Sequence, residues 1–213
     1  MSAKAQLALG IDRLGVELPE ESLERLLGYI ALLSKWNRVH NLTAIREPAK
    51  IVTHHILDSL AVLPYLNADT IADIGSGAGL PGIPIALARP HCRIALVESN
   101  HKKCAFLRQA VTELRLSNVD VVTERAEKWH PPAPFDLVIS RAFADLAGFV
   151  EVAGHLCKAD GALAAMKGLY PDEELAQLPP QVQLHGVERI DVPGLRAARH
   201  LVIMRPGTGT TSP

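Results

Sequence analysis

Along residues 19–36 the apolar positions Leu23, Leu26, Leu27, Ile30 and Leu33 fall at helical spacing. They follow Pro19-Glu20-Glu21, where an early proline and acids near the positive end of the dipole favour initiation, so an amphipathic helix is predicted. A second stripe after Pro48 (Ile51, Val52, His55, Ile56, Leu60, Leu63) repeats at three and four and closes near Pro64. Residues 37–47 read as a polar connector between the two helices. From residue 70 the period changes. Short apolar runs at Thr70–Ile74, 94–98, 119–123, Phe135–Ser140 and 162–167 read as strands. Helices lie between most of them, notably 101–116 (Phe106, Leu107, Ala110, Val111, Leu114) and 145–157 (Leu146, Phe149, Val150, Ala153). Continuous apolar strands alternating with helices predict a parallel sheet covered on both faces. Beyond Pro180, residues 187–192 and 200–204 read as two more strands with only 193–198 between them. That link is too short for a crossover, so the sheet is expected to end antiparallel. The expected organisation is a helical extension over 1–66, an α/β domain over 67–205 and a disordered tail over 206–213.

Composition and charge narrow the class. Hydrophobic residues make 48% of the chain and charged residues 21%, enough apolar surface for a packed core and too little charge for a disordered chain. The 22 Lys+Arg stand against 23 Asp+Glu. The balance stays within one charge in each of 1–66, 67–150 and 151–213, which disfavours a protein that coats nucleic acid non-specifically through phosphate neutralisation. A local basic patch survives: Lys35, Arg38, Arg46 and Lys50 against Glu47, with His40, His54 and His55 nearby. Cys92, Cys104 and Cys157 are odd in number and form no C-x-x-C pair, so they read as reduced thiols, and no zinc or other metal site is expected. After Lys4 only Leu7-Ala8-Leu9 precedes Asp12 and Arg13, too short for a secretory core, and no run reaches the ~18 apolar residues of a membrane span. A cytoplasmic protein without a membrane partner is expected.

The candidate chemistry lies in Asp73-Ile74-Gly75-Ser76-Gly77-Ala78-Gly79-Leu80-Pro81-Gly82, where the first strand turns into a helix, with Glu98 at the end of the next strand. Alternating glycines let backbone pass close beneath a ligand, and a distant acid can grip two ribose hydroxyls, so Gly75, Gly77, Gly79 and Glu98 point to a nucleoside-type cofactor. A dinucleotide site asks for G-x-G-x-x-G, whereas Leu80 stands where that third glycine would be. Asp73 beside the loop would repel a pyrophosphate but suits a ligand carrying an ammonium and a sulfonium, which favours S-adenosylmethionine. Methyl transfer needs a held donor and a positioned nucleophile. After the fourth strand, Ser140-Arg141-Ala142-Phe143 lacks the Asn/Asp-Pro-Pro-aromatic pattern of exocyclic-amine methylases, and the cysteines fall outside the loops that carbon-5 methylases use. A purine ring nitrogen loses no proton on methylation and fits a site without an obvious acid/base pair.

The motifs KWNRVHNLT (35–43), HILDSL (55–60), DIGSGAGLPGIP (73–84), FLRQ (106–109), ISRAFA (139–144), MKG (166–168) and RHLVI (199–203) closely resemble the ribosomal small-subunit methyltransferase G family, also called glucose-inhibited division protein B, over residues 20 to 205. The resemblance implies a class I, Rossmann-like fold with a mostly parallel seven-stranded sheet ending antiparallel, behind an N-terminal helical extension. It implies methyl transfer from S-adenosylmethionine to N7 of one guanine in 16S rRNA, in the decoding region of the small ribosomal subunit. No long heptad or obvious edge motif in the sequence argues against a monomer, which is the expected state. The cofactor would be held by Asp73, Gly75, Gly77, Gly79, Leu80 and Glu98, with Ala126 and Glu127 on the adenine side. Arg141 would stand at the junction of cofactor and target base as the catalytic residue. Lys35, Asn41, His55, Lys167, Arg199 and His200 are the expected RNA contacts. Glu98 stands where many relatives carry Asp, and His54 where they often carry Arg. Trp36, Asn37, Asn41 and Thr43 read either as caps and packing, with Trp36 seated on the sheet, or as a wall for a flipped base. A small-molecule methyltransferase and a non-enzymatic ribosome assembly factor are the competing readings.

Overall fold

Strands β1 (Thr70–Ile74), β2 (Arg93–Val97), β3 (Val119–Val122), β4 (Phe135–Ser140), β5 (Cys157–Lys167), β6 (Val182–Arg189) and β7 (His200–Pro206) form one sheet in the order β3-β2-β1-β4-β5-β7-β6. A computed structural model describes residues 2–207. β1 to β5 run parallel, and β7 is antiparallel to both of its neighbours. The strand order reverses at β1, between β2 and β4, so the loops after β1 and β4 flank the crevice where open α/β sheets bind ligands.

Helices α1 (Ala3–Leu14), α2 (Ser22–His40), α3 (Pro48–Ile51) and α4 (Asp58–Leu60) precede the sheet, and a π-helical stretch, Val52–Leu57, joins α3 to α4. Between strands lie α5 (Gly82–Ala88), α6 (His101–Glu113), α7 (Leu146–Ala153) and α8 (Asp172–Leu175). Side chains alternate across β1 with the period of two that a strand imposes. Ile71 joins a core with Leu7, Leu26, Ile56, Ile83 and Phe106, whereas Ala72 and Ile74 join a second core with Phe149 and Val150 of α7. The helices before the sheet therefore share one continuous core with one of its faces. No described helix is long and apolar enough to cross a membrane.

β1 and β4 match the pattern-derived bounds, and several other elements depart from them. α1 has no counterpart in the apolar pattern; Ser2 Oγ caps its first turn by accepting the Ala5 N–H, and left-handed Gly15 ends it. α2 runs to His40, so Asn37 is a buried helical residue and the connector begins at Asn41. β5 starts at Cys157, five residues early, across an irregularity in its register with β4 where a Cβ on Gly161 would meet the Asp136 carbonyl oxygen at 2.8 Å. β6 lies at 182–189 instead of 187–192: it is an edge strand with polar, exposed Gln183 and His185, so apolar content does not mark it. Pro206, expected in the tail, closes β7, and the Gly207 N–H donates to the Gln181 carbonyl at 2.7 Å; residues 208–213 of that expected tail lie outside the described residues.

Candidate active site

Gly75, Gly77 and Gly79 all have positive φ, which non-glycine residues rarely adopt, but they serve different ends. A Cβ on Gly77 would meet only the Gly75 carbonyl oxygen, at 3.7 Å, so this face is open to a ligand. A Cβ on Gly79 would strike Ile83 Cδ1 at 2.4 Å and Leu107 Cδ2 at 3.0 Å; the third glycine, expected at the cofactor, answers to packing beneath the loop. Leu80 likewise belongs to the core, with 4% of its surface exposed.

Two carboxylates frame the loop. Glu98 is 7% exposed and accepts the Gly77 N–H at 3.0 Å through Oε2 and the Asn100 N–H at 2.8 Å through Oε1, so it stands beside the open glycine. Asp73 is fully buried beneath the loop, not exposed alongside it. Its Oδ2 accepts the Gly82 N–H at 2.9 Å where α5 begins, and its Oδ1 has no partner. Burial pushes this carboxyl up to about 7, against the opposing pull of the Gly82 N–H and the Arg141 charge. From α2, the buried Tyr29 hydroxyl donates to the Ala78 carbonyl, which ties the helical extension to the same loop. Trp36 meets Phe106 of α6 edge to face, centroids 5.6 Å apart, and packs against the core that the extension shares with one face of the sheet.

The loop after β4 closes on the glycine turn. An added Cβ on Gly75 would lie 2.9 Å from the Ala142 Cβ, so Arg141 sits at the seam. Ser140 Oγ donates to the Ile74 carbonyl at 2.7 Å and accepts the Ala142 N–H at 3.1 Å, fixing the turn between the two strand ends. Arg141 then reaches into a cavity of about 330 Å³ lined by His54, His55, Asp58, Lys167 and Arg199. The Asp58 carboxylate, 2% exposed, holds both guanidiniums: Oδ2 accepts from Arg141 Nη1 at 3.2 Å and Oδ1 from Arg199 Nε at 2.8 Å. The π-helical stretch leads directly into Asp58, and such stretches often mark functional positions. Arg141 Nη1 also donates to the His54 carbonyl at 3.3 Å.

His55, expected to contact RNA, is 6% exposed, with both ring nitrogens bonded within the protein. Nδ1–H donates to the His54 carbonyl at 2.9 Å, and Nε2 accepts from the Thr43 hydroxyl at 2.8 Å. Burial first, and the Arg141 charge second, lower its pKa to about 4, so it is a neutral wall and not a phosphate-binding cation. Asn37 supports that wall: its side chain accepts the Thr43 N–H at 2.9 Å and donates to the Ile45 carbonyl at 3.2 Å. Lys167 is also turned inward, its ammonium donating to the Ala144 carbonyl at 2.8 Å and pairing with Glu174 at 2.7 Å, so it braces the β4 loop. Lys35 and Asn41 are exposed near the end of α2; Asn41 accepts from Arg46 at 2.7 Å. His200 Nδ1–H donates to the Gly168 carbonyl at 3.1 Å near the cavity rim. In the turn after β3, Ala126 is buried and Glu127 is exposed, paired with Arg125 at 3.3 Å. Asp58 and Tyr29 are the two site residues absent from the sequence-derived set; the quoted HILDSL segment contained the first.

The strand order, the antiparallel β7, the glycine turn after β1 and the acid closing β2 define a class I methyltransferase fold. A SAM-dependent methyltransferase from Aquifex aeolicus shares that fold, with a TM-score of 0.55 at 17% identity, covering 80% of this chain and 97% of that one. The chain belongs to the rRNA small subunit methyltransferase G family, whose model matches residues 22–202. It is 57% identical over 212 residues to the ribosomal RNA small subunit methyltransferase G of Nitrosospira multiformis, covering 96% of this chain and 98% of that relative. It is 50% identical over 204 residues to that of Laribacter hongkongensis, covering 95% and 98%.

Proposed function

We propose that this rRNA methyltransferase transfers a methyl group from S-adenosylmethionine to N7 of a single guanine in the decoding region of 16S rRNA, acting as a cytoplasmic monomer. The cradle suits the donor. Each Glu98 oxygen keeps capacity for a ribose hydroxyl, the face over Gly77 is open, and the unpartnered Asp73 oxygen favours a cationic ligand above it. Ala126 and Glu127, in the turn after β3, take the adenine side. The bound donor supplies an electrophilic methyl group on a sulfonium, open to in-line displacement.

The observation that carries the reading is the seam at Arg141, which joins the glycine turn, through Ala142, to the cavity anchored by Asp58. The cavity presents guanidinium donors. Of its two imidazoles, His55 is neutral with both nitrogens engaged and His54 is bonded through Nδ1 to the Thr53 hydroxyl at 2.7 Å, while the carboxylate is occupied by two arginines. Neither His55 nor Asp58 is poised to take a proton, and guanine N7 presents a lone pair with no proton to lose. Arg141 is then the catalytic residue by touching and orienting the acceptor, and rate comes from proximity. Arg199 in the cavity wall, His200 bonded to Gly168 of that wall, and Lys35 and Asn41, exposed near the end of α2, are the side chains we assign to RNA contacts. The test is transfer of labelled methyl from S-adenosylmethionine to small subunits lacking the modification, run beside a metabolite extract. Label in RNA supports the reading; label in metabolites with none in RNA replaces it with a small-molecule transferase.

A further inference from the structure

β6 is parallel to β5, so the loop from β6 to β7 rises at the same rim as the glycine turn and the β4 loop. This loop starts after Arg189, carries Arg196 and ends at Arg199, which already clasps Asp58 in the acceptor cavity. Its Gly194 packs over Thr53, beside His54; a Cβ there would lie 3.2 Å from Thr53 Cγ2. On the far side of that contact the loop and the end of α1 enclose a groove of about 750 Å³, lined by Arg13, Arg189, Arg196, Asp191 and Tyr65 among others. All three arginines are exposed, and none has an ion-pair partner among the described residues. Tyr65, 39% exposed, adds an aromatic face. In a chain of net charge −1, three arginines against one aspartate is a concentrated positive site.

We infer that this groove is a second nucleic-acid site that takes the single-stranded RNA backbone adjoining the target guanine, with phosphates on Arg13, Arg189 and Arg196 and a base on Tyr65. Guanidinium forks match phosphate oxygens, and an aromatic between them stacks any base without reading its sequence. The inference rests on the rRNA reading above and adds to it a path for the chain beyond the cavity.

The test compares the wild type, the triple variant Arg13→Ala/Arg189→Ala/Arg196→Ala and the triple Arg→Lys variant. Each is titrated with a fluorescent single-stranded RNA dodecamer across 50–200 mM salt, then assayed on unmodified small subunits. Three lost phosphate contacts lower the slope of log affinity against log salt by about 2, so the wild type loses about 20-fold more affinity over that range than the alanine variant. The lysine variant keeps the slope, KM for subunits rises in the alanine variant, and the S-adenosylmethionine Kd and melting temperature stay put. Equal slopes for wild type and alanine variant, with the wild type methylating subunits, overturn the groove alone. A wild type that moves no methyl group to RNA overturns the rRNA reading and the groove with it.

Discussion

Replacing Asp58 by Asn keeps the shape of the side chain and removes its charge. In the wild type one carboxylate, 2% exposed, accepts from Arg141 at 3.2 Å and from Arg199 at 2.8 Å, and the two guanidiniums are themselves only about a quarter exposed. An amide offers one accepting oxygen, so one arginine keeps a partner while the other faces an N–H₂ donor. Stripping one partner from a buried ion pair costs ~3–5 kcal/mol, and partial exposure of the arginines brings the expectation to about 3 kcal/mol. For a chain of this length that is a fall of roughly 6–12 °C in melting temperature. Freed from Asp58, Arg141 loses its registration on the acceptor side, and a displacement of about 1 Å can lower turnover by ~10²-fold. Scanning calorimetry, cofactor titration and single-turnover methyl transfer separate these effects: melting and transfer fall while the S-adenosylmethionine Kd stays within a few-fold. A cycle with Arg199→Gln sharpens the test, because the double variant must be markedly less impaired than the sum of the singles. Asp58→Asn that melts and turns over like the wild type, or strict additivity in the cycle, would refute a carboxylate that holds both arginines.

Gly77→Val and Gly79→Ala should part company. The first fills the open face and loses cofactor binding, with the positive φ of Gly77 adding a stability loss of ~1–2 kcal/mol that leaves the protein folded. The second drives a methyl group to 2.4 Å from Ile83 and shows its defect in chemical denaturation. Tyr29→Phe leaves the buried Ala78 carbonyl unpartnered, for a loss of ~1–3 kcal/mol and a weaker cofactor Kd measured by calorimetry. The carboxyl of Asp73 lies at about 7 in the folded protein against 3.8 for the free group. A raised folded-state value means that its stability contribution is full below pH 3.8 and lost as pH rises through 7. Urea melts should therefore show the wild type losing up to ~4 kcal/mol relative to Asp73→Asn between about pH 4 and 7, with no further change above that range; a constant difference would contradict the assignment.

The parts of this molecule written in local pattern were legible. β1 and β4 are central strands whose apolar runs end where pairing ends, and the glycine turn with Glu98 declares its ligand class by spacing alone. Edges were not. β6 carries polar residues on both faces of an edge strand, and β5 begins in a polar run that only its pairing to Phe135 makes a strand. Among site residues, the surroundings of His55 and Lys167 were not legible for one cause: a basic side chain near a site looks like a free cation until burial and internal partners are seen. Asp58 was hidden for another reason. A lone acid in an apolar helical run gains meaning only from Arg141, 83 residues away, and Arg199, 141 residues away.

The central claim, that the Arg141 seam presents guanine N7 to the methyl donor, is tested most directly on small subunits prepared without the modification. They are incubated with labelled S-adenosylmethionine and the protein, and the 16S rRNA is then digested and its nucleosides identified and mapped. The account predicts one 7-methylguanosine per subunit, at one position in the decoding region, and its loss with Arg141→Ala. Label on an exocyclic amine, on a pyrimidine or spread over many guanines would contradict it.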